Sequence, residues 1–325
     1  MRILVTRAWP DPVEARLQDA GLGDVTLRHP DIAMTADDWM AAAQTYDAIM
    51  PTVSDNIPAA FYEAAKGKVK ILANYGVGFN HIDTDAAHAN GIAVTNTPGV
   101  LTDCTADLAM GLLLATARRI GEGERETRAG NWAGWRPTHM IGKKVAGATL
   151  GIVGFGRIGQ AMAQRAHFGF GMKIVFQNRS PITDEVKARF GGAEQLATVQ
   201  DTAAKSDFLS LHCAATKDTF KLMNSDVFSA MKPDAILINT ARGDVVDEDA
   251  LFAALDNGRL MGAGLDVYMS EPALDPRFMS HENIVLAPHL GSATDGTRAA
   301  MGHRAIDNLD AFSKGQTPQD LVTPE

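Results

Sequence analysis

The sequence predicts an α/β protein built from two doubly wound parallel sheets. Short apolar segments alternate with amphipathic segments of helical length along most of the 325 residues, and this alternation implies parallel strands. A chain of this length is typical of about two domains. A glycine-rich motif, Gly154-Phe155-Gly156-Arg157-Ile158-Gly159, lies between a predicted strand and a predicted helix, which is the context expected of a dinucleotide-binding turn.

The first unit, residues 1–98, alternates strand and helix several times. Helix start signals separate the strands, including Asp11-Pro12, where a capping residue precedes a proline in the first turn, and Asn56-Ile57-Pro58. The predicted short buried strands are Arg2–Thr6, Val25–Leu27, Asp47–Met50, Val69–Ala73 and Ile92–Thr95.

Residues 101–119 predict a strongly apolar helix between the two units. Such a helix is either part of a core or a connector across a domain junction, and its position favours the connector. The glycine-rich segment 130–137 follows, with Trp132 and Trp135. Tryptophans in such a loop indicate either an interface or a locally packed loop.

The second unit begins near Ala148 and repeats the pattern of strands spaced by helix-length segments. A long helix is predicted for residues 293–312, and it returns to the first unit, so the first domain is discontinuous. The expected domains are 1–98 completed by 290–325, and 99–289. The predicted strands are Thr149–Val153, Lys173–Phe176, Asp207–Leu211, Ala235–Asn239, Gly262–Val267 and Ile284–Leu286.

Composition and charge narrow the classes of function. The formal net charge is −9 and the pI is about 5.5, which argues against nucleic acid or an anionic membrane as the main partner. The only cysteines are Cys104 and Cys213, so no disulfide framework is expected and a reducing cytoplasm fits best. Residues 1–7 enter a strand pattern without the features of a signal peptide, and the most apolar run, 108–117, is too short to span a bilayer. No metal is expected.

Each glycine of the motif has a physical role in nucleotide binding. Gly154 permits a tight turn, Gly156 lets the backbone approach a pyrophosphate, and Gly159 lets the helix pack on the strand. Arg157 and Ile158 begin the helix, whose free N–H groups face the phosphates. A plain glycine turn is the competing interpretation, because the chain contains 30 glycines, but the order of strand, motif and helix favours the nucleotide.

The residues that select between NAD and NADP lie about twenty positions beyond the motif, where NAD enzymes carry an acidic residue for the adenosine ribose. Here the strand ends in Gln177-Asn178-Arg179-Ser180, which contains no acid. Asn178, Arg179 and Ser180 fit a 2′-phosphate through charge-assisted and hydroxyl hydrogen bonds. The sequence therefore predicts that NADP(H) is preferred and that NAD(H) is possible as a second coenzyme; the alternative is a solvent-facing turn with an incidental arginine.

Three ionisable residues, Arg242, Glu271 and His289, follow strand ends in the second unit. Ligands of open parallel sheets bind beyond the carboxyl ends of the strands, so these side chains are expected to converge on the nucleotide. Arginine binds a carboxylate in two places, and a histidine kept protonated by a carboxylate donates a proton near neutral pH. The competing interpretations are a salt-bridged loop arginine, a surface turn and a buried histidine. His212 and His281 are expected to be structural.

The chain resembles the D-isomer-specific 2-hydroxyacid dehydrogenases, and most closely their glyoxylate/hydroxypyruvate reductase branch. The resemblance extends over nearly the whole chain and includes the glycine motif and the segments 74–78, 97–103, 239–247, 264–272 and 288–294. It implies two Rossmann-like domains with the active site in the cleft between them, and a dimer.

The resemblance also implies residue roles. Arg242 holds the substrate carboxylate with the backbone N–H groups of Val77 and Gly78, and the Glu271–His289 pair transfers the proton. Coenzyme contacts fall to Thr105 at the pyrophosphate or nicotinamide ribose, to Thr240 and Ala241 at the nicotinamide, and to Asp266 at its carboxamide, although Asp266 also fits a turn residue at the sheet end. Trp135 is implied to reach the partner's active site, and Val53 lies near the substrate pocket.

The predicted activity is the NADPH-preferring reduction of small 2-oxo acids, with glyoxylate and hydroxypyruvate as first substrates. A reductase of a longer acid such as 2-ketogluconate is the enzymatic alternative, since pocket width depends on loops near Val53, Ser54 and Val77. Formate dehydrogenase chemistry is disfavoured, because those relatives place Gln where this chain has Glu271. A nucleotide-sensing corepressor shares the fold, but the short termini argue against it.

Overall fold

The computed structural model describes residues 1–29 and 31–323, which form two open sheets in which every strand pair is parallel. The parallel pairing predicted from the sequence is confirmed. The strands are β1 (Arg2–Val5), β2 (Asp24–Leu27), β3 (Ala48–Met50), β4 (Ile71–Ala73), β5 (Ala93–Thr95), β6 (Thr149–Val153), β7 (Lys173–Gln177), β8 (Glu194–Leu196), β9 (Phe208–Leu211), β10 (Ile236–Asn239), β11 (Gly262–Leu265) and β12 (Ile284–Leu286).

The helices occupy the connections between strands, as parallel sheets require. They are α1 (Asp11–Asp19), α2 (Ala36–Thr45), α3 (Ala59–Ala64), α4 (Thr84–Ala89), α5 (Thr102–Ala117), α6 (Ile120–Arg128), α7 (Arg157–Gln164), α8 (Asp184–Ala188), α9 (Val199–Lys205), α10 (Ser225–Ala230), α11 (Glu248–Asp256) and α12 (Asp295–Ser313). Local sequence begins several of them; Thr35, for example, forms a capping box with Asp38 at the start of α2.

The chain divides into two compact units, residues 1–101 with 293–325 and residues 102–292. The first unit contains the five-stranded sheet in the order β2-β1-β3-β4-β5. Its strand order reverses between β1 and β3, which is the position where open parallel sheets commonly bind ligands. Trp39, Phe61 and Leu72 pack on one face, and α12 packs against α1 and β4.

The second unit contains the seven-stranded sheet in the order β12-β11-β10-β9-β6-β7-β8. The reversal lies between β6 and β9, the strands that precede the glycine motif and His212. Successive residues of β10 face opposite sides: Ile236 and Ile238 join one buried cluster, while Leu237 joins the other. Burial of both faces explains why these strands are continuous apolar runs.

Three details differ from the expectations. The buried strand predicted at Val25–Leu27 is wrong in its burial, because β2 is an edge strand and is half exposed. The edge strand β8 escaped prediction because Glu194–Leu196 carries no apolar run. Helix α5 belongs to the core of the second unit, where it packs on β10 and β11, so the core alternative for this segment describes it better than a bare connector.

Among the described residues, no helix combines the length and apolarity needed to cross a bilayer.

Candidate active site

The glycine motif forms a tight turn between β6 and α7. Gly154 has φ of +89°, and a Cβ there would lie 2.6 Å from the backbone nitrogen of Cys213. A Cβ on Gly159 would lie 2.2 Å from the Gly154 carbonyl oxygen. Side chains are therefore excluded at both positions by backbone atoms, which explains these two glycines without any ligand.

Gly156 is different and tests whether a dinucleotide fits. Apart from its neighbours along the chain, a Cβ on Gly156 would meet no atom of the described residues within 4 Å, so packing does not explain the glycine. Gly156 is also the N-cap of α7 and offers no capping side chain to the first N–H groups of that helix. Open space beside uncapped N–H groups fits a pyrophosphate, which a side chain at Gly156 would obstruct.

The turn after β7 is organised by Asn178. Its Oδ1 accepts a hydrogen bond of 3.0 Å from the Phe155 N–H inside the glycine motif, and its Nδ2 donates to the Ser180 carbonyl at 2.9 Å. Gln195 of β8 also donates to the carbonyl oxygens of Asn178 and Ser180. Sequence reasoning missed Gln195, because nothing in the sequence places β8 beside this turn. Asn178 thus links the glycine motif to the turn.

Arg179 and Ser180 are exposed in the same turn. Among residues 1–29 and 31–323, no carboxylate pairs with the Arg179 guanidinium. The neighbouring acid that would favour an adenosine ribose is absent from the turn, as the sequence shows. The turn presents a cation and a hydroxyl, which is the donor set that suits a phosphate.

Arg242 follows β10 in a turn that Asn239 holds. The Asn239 carboxamide donates to the Arg242 carbonyl at 2.8 Å and accepts from the Ala241 N–H at 3.0 Å. One guanidinium nitrogen of Arg242 donates to the Ala241 carbonyl at 2.7 Å. Burial lowers the pKa of Arg242, while the charges of Glu271 and Asp244 oppose that shift. Arg242 is therefore a largely desolvated cation beside two carboxylates.

Glu271 and His289 form a hydrogen-bonded pair. Oε2 of Glu271 lies 2.8 Å from Nδ1 of His289, and its Oε1 accepts from the Tyr268 N–H at 3.0 Å. Burial acts to raise the pKa of Glu271, but the bonds from His289 and Tyr268 and the charge of Arg242 outweigh it and lower that pKa. Glu271 is therefore an anion at neutral pH. The structure brings together the three residues that the sequence singled out.

His289 is held in an unusual backbone conformation. Its φ is +57°, the left-handed region that non-glycine residues seldom adopt. The carboxylate of Asp266, which follows β11, accepts the N–H of Leu290 at 2.6 Å and of Gly291 at 2.8 Å, and its main-chain oxygen accepts the N–H of His289 at 3.0 Å. Burial raises the pKa of Asp266. Asp266 thus fixes the turn that presents the imidazole.

Thr105 and Thr240 differ in how the protein uses their hydroxyl groups. Thr105 is buried in α5 and donates to the Gly291 carbonyl at 3.0 Å, so it also supports the turn of His289. The buried hydroxyl of Thr240 has no hydrogen-bond partner among the residues that the structure describes. An unpartnered buried hydroxyl costs stability, and a bound ligand would supply the partner. Ala241, next to it, is half-buried.

Val53, Val77 and Gly78 lie in the first unit, in loops after β3 and β4, and are half-buried. A Cβ on Gly76 would lie 2.6 Å from Cγ1 of Val53, so the two loops are packed together. Trp135 is 80% exposed. Its role at a partner's active site remains a prediction.

The two histidines expected to be structural have partners within the protein. His212 lies 2.8 Å from the Ser210 hydroxyl, and burial lowers its pKa to about 4. His281 contacts Asp256 at 3.1 Å.

Comparison with known proteins identifies the family. Residues 110–291 match the family described as D-isomer specific 2-hydroxyacid dehydrogenase, NAD binding domain. The chain is 47% identical over 328 aligned positions to the glyoxylate reductase of Thermococcus kodakarensis, which covers 100% of this chain and 96% of that protein. It is 38% identical to the glycerate dehydrogenase of Hyphomicrobium methylovorum, with 97% and 96% covered.

Solved structures agree over the same length. The NADPH-dependent glyoxylate/hydroxypyruvate reductase of Sinorhizobium meliloti, in complex with NADP and malonate, matches with a TM-score of 0.86 and 36% identity, covering 99% of this chain and 96% of that one. The resemblance found in the sequence is confirmed. The chain belongs to the D-isomer-specific 2-hydroxyacid dehydrogenase family of nicotinamide-dependent oxidoreductases.

Proposed function

We propose that this protein is an NADPH-preferring reductase of small 2-oxo acids, converting glyoxylate to glycolate and hydroxypyruvate to D-glycerate. The observation that carries the proposal is the Glu271–His289 hydrogen bond of 2.8 Å with the Arg242 cation beside it. Reduction of a 2-oxo acid needs a cation for the carboxylate and a proton donor for the carbonyl oxygen. The reductase names of the relatives, at up to 47% identity over the whole chain, support the substrate class.

When bound, the reduced nicotinamide supplies a hydride to the carbonyl carbon of the substrate. His289 donates its proton to the carbonyl oxygen, on which negative charge develops. Glu271 favours the protonated imidazole before transfer and fixes its orientation through Nδ1, which leaves Nε2 as the donor. Arg242 binds the carboxylate, and its partial desolvation strengthens that interaction.

The residues around the coenzyme fit the same proposal. The N–H groups at the start of α7 take the pyrophosphate, and Arg179 with Ser180 takes the 2′-phosphate. Thr240, whose buried hydroxyl has no partner within the described ranges, lines the nicotinamide with Ala241. Asp266 retains acceptor capacity for the carboxamide, since each carboxylate oxygen accepts a single backbone N–H.

A panel of 2-oxo acids assayed with NADPH and NADH tests the proposal. We expect the highest kcat/KM with glyoxylate or hydroxypyruvate and NADPH. A maximum with 2-ketogluconate or another long acid would reassign the substrate, and a preference for NADH would refute the coenzyme assignment. Absence of turnover with every acid would favour a nucleotide-sensing binding protein.

We also propose that the protein is a homodimer. Large apolar side chains are exposed along residues 120–141, namely Ile120, Trp132, Trp135 and Ile141 at 56–80%, and monomers seldom expose such a series. Light scattering coupled to size exclusion is expected to give twice the chain mass of 34.7 kDa. A monomer at micromolar concentration would contradict this part of the proposal.

A further inference from the structure

The loop after β4 is held by two asparagine side chains. The Gly76 carbonyl accepts from Nδ2 of Asn74 and from the Thr97 N–H, each at 3.0 Å. The next carbonyl, that of Val77, accepts from Nδ2 of Asn96 at 2.8 Å. Asn74 is fully buried. Consecutive carbonyl groups of this loop therefore have fixed partners.

Fixing a carbonyl also fixes an N–H group. In a planar trans peptide the C=O and the following N–H point in opposite directions. The Gly76 carbonyl therefore sets the direction of the Val77 N–H, and the Val77 carbonyl sets that of the Gly78 N–H. Within residues 1–29 and 31–323, neither N–H donates to a protein acceptor. Adjacent N–H groups without protein acceptors form a site for an anion.

Asn96 is itself anchored by the carboxyl-terminal part of the chain. Its N–H donates to the Asp320 carbonyl at 3.3 Å, and its carbonyl accepts from Nδ2 of Asn308 at 3.1 Å. The Asp320 carboxylate, only 5% exposed, accepts two bonds from Arg304, at 2.6 and 2.9 Å, and one from Asn308 at 3.0 Å. We call Arg304, Asn308 and Asp320 the carboxyl-terminal clasp. A bidentate, largely buried ion pair makes the clasp a rigid anchor.

We infer that Asn96 is a positioning residue, which aims the Gly78 N–H at the substrate carboxylate through the Val77 carbonyl, and that the carboxyl-terminal clasp holds Asn96 in place. The inference rests on the proposed function, because it takes a 2-oxo acid as the ligand. It assigns residues 304–320 a part in substrate affinity, through a continuous series of hydrogen bonds inside the first unit.

The effect belongs to KM rather than to kcat. The carboxylate is present in the substrate and in the transition state alike, so a lost carboxylate contact weakens both equally. The variant Asn96→Asp has the same shape but turns the Nδ2 donor into a carboxylate oxygen that faces the Val77 carbonyl. We expect KM for glyoxylate to rise about tenfold or more, with kcat changed less than about twofold.

Two further readouts separate positioning from general damage. The inhibition constant of oxamate, an unreactive carboxylate, should rise by the same factor as KM, and the factor should be equal for hydroxypyruvate. KM for NADPH should not change, since Asn96 lies in the five-stranded unit and the glycine motif in the other.

Matched variants supply the controls. Asn90 also lies in the first unit, and its Nδ2 donates to the Ala86 carbonyl at 2.9 Å at the end of α4; Asn90→Asp should leave KM unchanged. Asp320→Asn weakens the clasp and should raise KM about threefold. Asp307→Asn removes a different ion pair of α12, with Arg16 at 2.5 Å, and should have no effect on KM.

The wild type is assayed first. If it reduces no 2-oxo acid, the proposed function and this inference fall together. If it reduces glyoxylate and Asn96→Asp has the KM of Asn90→Asp, or loses kcat with an unchanged KM, the inference alone is overturned. Should Asn96→Asp not fold, Asn96→Ser, whose side chain is too short to reach the Val77 carbonyl, and Asp320→Asn decide the matter by the same KM criterion.

Discussion

The two units share an architecture but present different chemistry at the carboxyl ends of their strands. The seven-stranded sheet ends in ionisable side chains, those of Arg242, Glu271 and His289. The five-stranded sheet ends in a loop whose contribution is backbone N–H groups, those of Val77 and Gly78. One edge thus carries ionisable side chains, and the other carries fixed backbone dipoles.

This difference assigns each edge a separate kinetic role. Groups that respond to charge developing on the carbonyl oxygen act in the transition state and determine kcat, whereas fixed donors to a carboxylate act equally in both states and determine KM. Arg242 is the exception on the seven-stranded edge, because its proposed role is to bind the substrate carboxylate. The contrast between an effect on kcat and an effect on KM is therefore expected to be greatest between variants of His289 and variants of Asn96.

The largest effect is expected from His289→Ala. Loss of the proton donor should lower kcat roughly 10²- to 10⁴-fold, with little change in the affinity for NADPH measured by fluorescence titration. His281→Ala is the matched control, since His281 also contacts a carboxylate in the same unit, and it should retain activity. A His289→Ala enzyme with wild-type kcat would show that His289 is not the proton donor.

The second largest effect is expected from Arg242→Ala. Leaving a buried carboxylate-binding site without its cation is expected to cost roughly 2–5 kcal/mol in kcat/KM for glyoxylate. Arg242→Lys should recover only part of this loss, because an ammonium group lacks the planar fork. Full activity of the alanine variant in steady-state assays would show that another group holds the carboxylate.

The coenzyme turn gives a smaller effect. Arg179→Ala should reduce kcat/KM with NADPH by roughly 1.5–3 kcal/mol, or more than tenfold, and leave NADH nearly unchanged. Arg259→Ala is the control, because the Arg259 guanidinium donates to the Ser229 carbonyl elsewhere in the same unit. Equal losses with both coenzymes would show that the turn supports the fold without reading the phosphate.

A substitution at Asn178 can be combined with Arg179→Ala in the same turn. Asn178→Asp keeps the acceptor for the Phe155 N–H but loses the donation to the Ser180 carbonyl. Combined with Arg179→Ala, it should repel the phosphate while NADH activity holds or rises. A fall in melting temperature for Asn178→Asp alone would measure its structural share in the turn.

The parts of the molecule that have local sequence signatures could be predicted from the sequence. Buried strands are continuous apolar runs, and the residues after strand ends converge by topology, so Arg242, Glu271 and His289 were found together. The supporting residues have no such signature. Asn74, Asn96 and Gln195 are ordinary polar residues in the sequence, and their roles depend on which backbone carbonyl groups the tertiary fold brings to them. The exposure of β2 and the existence of β8 could not be predicted for a similar reason, since edge position is a property of the assembled sheet.

The pairing of Glu271 with His289 is tested most directly by the pH profile of hydride transfer in wild type and in Glu271→Gln. The pKa of Glu271 is lowered, so the carboxylate stays charged from weakly acidic pH upward and holds Nδ1 of His289 at 2.8 Å. Activity in the reduction direction should therefore fall as pH rises and His289 loses its proton. Removing the negative charge should move that alkaline limb to lower pH. The measurement uses deuterated NADPH to verify that hydride transfer limits the rate, and an unmoved limb in Glu271→Gln would contradict the pairing on which the proposed mechanism depends.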